Sequence, residues 1–86
     1  MQTVETLDQA LDLVSRLGYT IRQECLAGNG GGGCELKGQK LFFLDLDLGP
    51  EEQLEQTLDT LRREPEAATI AMPTPLRELI LARKIA

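Results

Sequence analysis

The segment Leu41–Leu48 reads Leu-Phe-Phe-Leu-Asp-Leu-Asp-Leu, and it limits what the chain can become more than any other stretch. With a period of two, Phe42, Leu44, Leu46 and Leu48 fall on one face of a strand, and Leu41, Phe43, Asp45 and Asp47 fall on the other. Apolar side chains therefore stand on both faces of its first half. The chain has 86 residues, enough for one domain. Folding at this size hides only roughly 60–65% of the surface an open chain exposes. One sheet face can receive helices. The other carries surplus apolar surface, to be covered by the C-terminal helix or offered to a second chain.

Helical signals flank that strand. Val4, Leu7, Leu11, Val14 and Leu17 recur at steps of three and four, Thr6 and Gln9 fit a capping box, and Gly18 stands where a left-handed residue closes a helix. From Tyr19 to Leu26 the period changes to two. A glycine-rich loop, Ala27–Gly33, leads into a short strand, Cys34–Lys37, and Gly38-Gln39 suits a type II′ turn into the 41–48 strand. Gly49-Pro50-Glu51-Glu52 opens a helix with its stripe at Leu54, Leu58 and Leu61, which Pro65 stops. Ala67–Met72 reads as a short fourth strand or an extended connector, and Thr74 caps a last helix carrying Leu76, Leu79, Ile80 and Arg83. The expected fold is a single α+β domain: a helix, a three-stranded antiparallel meander, and two further helices.

Composition narrows function by exclusion. The chain has no histidine, which removes His-based triads, His general bases and His-ligated metals. Nine Lys and Arg against fourteen Asp and Glu give a net charge of −5, unfavourable for binding nucleic acid or an anionic membrane. No apolar run approaches the ~20 residues of a membrane span, and no basic-then-apolar leader opens the sequence, so a cytoplasmic location is expected. That setting disfavours a permanent Cys25–Cys34 disulfide; two free thiols, at least one buried, are expected.

Two features could carry chemistry. Backbone N–H groups of the glycine run, Gly30, Gly31 and Gly32 among them, could cradle an anion, but no Lys-Ser/Thr pair leading into a helix follows, so neither a P-loop nor a dinucleotide fingerprint is present. Asp45 and Asp47 could share a magnesium or calcium ion through oxygen; the plainer reading is two solvated charges on a half-exposed strand. No cofactor and no catalytic residue is implied.

Leu17-Gly18-Tyr19-Thr20-Ile21-Arg22, the Gly-rich turn, the hydrophobic strand and then Leu48-Gly49-Pro50-Glu51-Glu52-Gln53 follow an order that resembles the N-terminal half of ImmA/IrrE-type zincin-like metallopeptidases, over residues 3–64. In that family a strand, Ser-Pro-Glu-Glu and a helix lead into an HExxH active helix. Here Gln56-Thr57-Leu58 runs into Asp59-Thr60-Leu61-Arg62-Arg63-Glu64 without histidine, so the resemblance implies a scaffold lacking the metal site. The expected function is non-catalytic: contact with a protein partner or self-association as a homodimer, with Leu41, Phe43 and Arg83 as contact residues. The alternative is a ligand, anion or divalent-metal site built from the glycine loop with Asp45 and Asp47.

Overall fold

A computed structural model describes residues 3–82. Helix α1 (Thr3–Arg16) leads into strand β1 (Thr20–Glu24), followed by β2 (Gly32–Leu36), β3 (Gln39–Asp45), helix α2 (Pro50–Arg62), a short 3-10 helix (Pro65–Thr69) and helix α3 (Thr74–Leu81). The class is α+β, as the sequence pattern indicates.

The sheet is not a meander. Its order is β1-β3-β2, with β2 antiparallel to β3 and β1 parallel to it. β3 takes the centre because it is the one strand with large apolar side chains on both faces. β1, with Arg22 and Glu24, and β2, with three small residues at its start, go to the edges, where charge and missing side chains cost least. The chain accordingly runs from β1 across the C-terminal end of β3 to reach β2. β2 then returns through a two-residue turn at Lys37-Gly38, both with positive φ (52° and 78°). This is the type I′ form, one residue earlier than the Gly38-Gln39 type II′ turn expected from sequence.

Strand parity holds for the central segment but ends at Asp45. Leu46 and Leu48 lie in the following turn, and Leu46 is exposed. Phe42 and Leu44 face the helices and join Ala10, Leu13, Val14 and Leu17 of the N-terminal helical region and Leu58 and Leu61 of α2 in one core. In α1 the buried stripe is rotated from the expected one: Ala10 and Leu13 are buried whereas Val4 is exposed. α3 adds Leu76 to the core from its seat against α1 and α2, and begins at Thr74 itself.

Residues 67–72 form no fourth strand. Pro65 starts a 3-10 turn, and the carbonyls beyond it are taken by arginines: Arg77 donates to Ala68 (3.2 Å) and Ile70 (3.1 Å), and Arg16 to Ala71 (3.3 Å). With those acceptors occupied by guanidinium groups, a ladder has little to recruit. Both cysteines are free and exposed, in place of the buried thiol expected.

The glycine run serves packing as well as the turn. The Gly33 N–H donates to Thr60 Oγ1 on α2 (3.1 Å), and that hydroxyl donates in turn to the Gln56 carbonyl (3.2 Å). A Cβ at Gly33 would meet Thr60 Cγ2 at 2.7 Å, with Thr60 buried and unable to yield. At Gly31 it would meet only the amide end of the Gln56 side chain. Gly33→Ala is therefore expected to destabilise the fold by about 1–3 kcal/mol in urea denaturation. Gly31→Ala, answered by a rotamer change, should cost clearly less.

Candidate functional site

The helices all lie on the Phe42–Leu44 side of the sheet, and among the described residues no element covers its reverse face. The strand register decides what stands there. Leu41 and Phe43 line the middle. Thr20 and Arg22 lie opposite them on β1, and Cys34 and Gly32 on β2, with Leu36 and Gln39 paired at the hairpin end. Leu41 and Phe43 are half-buried between these neighbours, while Leu36 is 58% exposed. The outer rim on β1 is charged, with Arg22 and Glu24 forming an ion pair at 3.0 Å. Leu41 and Phe43, expected from sequence to make contacts, are thus brought to one surface. Arg83 lies outside the described residues.

At one end of this face Asp45 closes the sheet. It is fully buried. Its carboxylate accepts N–H bonds from Leu26 (3.0 Å), Gly28 (2.6 Å) and Asp47 (2.9 Å), and Asp47 accepts another from Ala27 (2.8 Å). Burial by itself would push the Asp45 carboxyl pKa up, but the three backbone N–H donors outweigh it and hold the group below the ordinary carboxylate range. The two aspartates therefore bind the crossing loop through its first residues. Gly30 lies farther along, against Leu26, and Gly31 leads into β2, whose first residue is Gly32. The N–H groups of Leu26, Ala27 and Gly28 are thereby taken from any anion, and three acceptor positions of Asp45 from any cation, while no bond joins either aspartate to Gly30, Gly31 or Gly32. Among the described residues no cluster of three or more Asp, Glu, Cys or His is placed to hold a metal.

One cluster escaped the sequence reading. The carboxylate of Glu64, just past α2, accepts from Lys40 Nζ (2.8 Å) and from the Tyr19 hydroxyl (3.2 Å), and Lys40 Nζ lies 5.3 Å from the Tyr19 ring centre. The three residues line a cleft of about 320 Å³ with Gly33, Thr60 and Arg63. Lys40 shares its strand face with Phe42 and Leu44, and a cation on the helix-facing side of a sheet needs a partner there. That parity was the only signal in the sequence. The Lys40 bond holds Glu64 below its ordinary pKa and Glu64 holds Lys40 above its own. Burial, then the Glu64 charge, raises the Tyr19 phenol. A cation and a carboxylate that satisfy each other form a latch between sheet and helix.

No family model, no curated protein and no solved structure matches this chain. Among the described residues no helix is long and apolar enough to cross a membrane.

Two titrations test these assignments. Tyr19 is the only tyrosine and tryptophan is absent, so ultraviolet absorption follows its ionisation alone. The phenol should titrate above the ordinary value of about 10, and Glu64→Gln should move it back toward that value. Asp45 and Glu64 are both depressed, so the stability they supply is complete above their unfolded values of about 4 and is lost as pH falls through their lower folded values. The urea midpoint should decline on acidification below about pH 5. Asp45→Asn should lower it at neutral pH and flatten that decline, because an amide turns one N–H donor toward the N–H groups of the loop.

Proposed function

We propose that this chain is a non-catalytic module that works by protein contact, and that the bare sheet face around Leu41 and Phe43 is the working surface. One observation carries the reading: the central strand spends Phe42 and Leu44 on the core and still presents Leu41 and Phe43, beside the exposed Leu36, on the side away from every helix. Apolar side chains grouped on one face, with a charged rim at Arg22 and Glu24, have the anatomy of a contact patch. The resemblance to an ImmA/IrrE scaffold stripped of its histidines points the same way, toward contact and away from chemistry. The titratable groups also favour it: the Asp45 and Glu64 carboxylates and the Lys40 ammonium are held by internal partners.

Site-specific photocrosslinking in the producing cell provides the test. A benzophenone side chain in place of Phe43 should give discrete adducts, whereas the same group in place of Val4, exposed on α1, should give none. Adducts at Val4 with none at Phe43, or no discrete adduct at either, overturn the assignment of this face.

A further inference from the structure

The two edges of the sheet differ. On β2 the outward N–H of Gly33 is taken by Thr60 of α2, so the helix occupies the start of that edge. On β1 the ladder geometry identifies the free groups. Leu46 N–H donates to the Glu24 carbonyl at 2.9 Å, and Glu24 is paired with Asp45. In a parallel ladder this turns the backbone N–H and C=O of Thr20, Arg22 and Glu24 toward β3, and those of Ile21 and Gln23 away from the sheet. Among the described residues nothing accepts from or donates to Ile21 or Gln23 on that side. Their strand is open to solvent, with Thr20, Arg22, Gln23 and the following Cys25 all exposed. An unpaired strand of this kind is a template for another strand.

The charges on β1 select the strand that fits. Antiparallel pairing with a second β1 must set outward-facing backbones against each other, so the axis can fall only on residues of that strand in a few registers. An axis at Arg22 sets Arg22 against its own copy, and an axis at Glu24 does the same for glutamate; like charges directly opposite are destabilising. Centred on Ile21, the pairing runs out at Gly18 and Glu24 with no charge matched, and centred on Cys25 it runs into the loop. Centred on Gln23, it places Arg22 of each copy opposite Glu24 of the other and Ile21 opposite Cys25, the residue that directly follows the strand.

We infer that two copies of this chain join β1 to β1, antiparallel about Gln23, into one six-stranded sheet. The purpose of the joint rests on the contact reading above, although its geometry does not. With strands of five, five and seven residues, one bare face projects about 300 Å² at a rise of about 3.3 Å and a strand spacing of about 4.8 Å. A standard interface takes about 800 Å² per partner. Joining the sheets edge to edge sets two Leu41–Phe43 faces side by side and brings the combined patch much closer to that size.

Sedimentation equilibrium of the full chain over a wide concentration range tests the inference, with circular dichroism confirming that each variant is folded. The wild type should pass from 9.5 kDa to twice that mass. Arg22→Glu and Glu24→Arg should each raise the dimer dissociation constant about tenfold or more, since each puts two like-charged pairs across the joint. The double variant should return close to the wild-type value. Gln23→Pro should abolish the dimer and spare the monomer, because the N–H it removes faces away from β3. Phe43→Lys should leave the dimer intact. A wild type that stays monomeric throughout, an Arg22→Glu dimer as tight as wild type, or a double variant as weak as the singles overturns the inference. A dimer lost in Phe43→Lys and kept in Arg22→Glu also overturns it, and would show instead that copies meet through the bare face.

Discussion

Three backbone N–H groups converge on a carboxylate at the end of β3, and the path of the chain depends on that convergence. To put its most apolar strand at the centre, the sequence must carry the backbone from one edge of the sheet to the other over the end of β3. Such a crossing exposes amides that no ladder can take. Asp45 takes Leu26, Gly28 and its own neighbour Asp47, and Asp47 takes Ala27, which sits with Gly28 in the left-handed region. A carboxylate that accepts several N–H bonds can remain charged in a buried site, because those dipoles replace the water it has lost. Gln53, from the first turns of α2, donates to the Asp45 carbonyl at 2.9 Å and ties the same residue to the helix layer.

The crossing delivers the chain to a place where side chains would not fit. β2 begins within hydrogen-bonding distance of Thr60, so α2 lies against its backbone where a helix over a sheet ordinarily rests on side chains. This approach lets three helices and three short strands exclude water from a core built around Phe42, Leu13 and Leu61. Lys40, Tyr19 and Glu64 fasten the neighbouring end of the layer by charge, and Arg62 fastens α3 by donating to the carbonyls of Leu79 (2.8 Å) and Ile80 (3.2 Å) at its C-terminal end. Polar bonds thus hold the edges of a domain whose apolar interior is small.

Local order was legible in the sequence and pairing was not. The steps of three and four through α1 and α2, the proline at the start of α2 and the alternation in β3 each follow from a period or a steric rule acting over a few residues, and each element forms near its expected place. The meander failed because neighbouring strands in sequence are by default neighbours in space, and nothing in residues 25–31 announces a loop able to span β3. Its anchor, Asp45, is 17 and 19 residues from the amides it holds. A period-two pattern registers Asp45 only as a polar position on an outward face. The glycines read as a flexible connection because composition reports their freedom and cannot report that a helix lies against them. Lys40 was visible as a charge on the wrong face, but its partners are 21 and 24 residues away on either side, beyond any local rule. Leu41 and Phe43 were legible as a pair on one face from parity alone, and the register places them there.

The asymmetry between the sheet's two margins sets a limit on growth. With Thr60 of α2 holding the Gly33 N–H at the start of the β2 margin, a strand added on that flank would find one of its bonding positions already taken. Repeated addition, the route by which naked pleated layers elongate into fibres, is therefore hindered on that side by the same glycine–threonine contact that compacts the molecule.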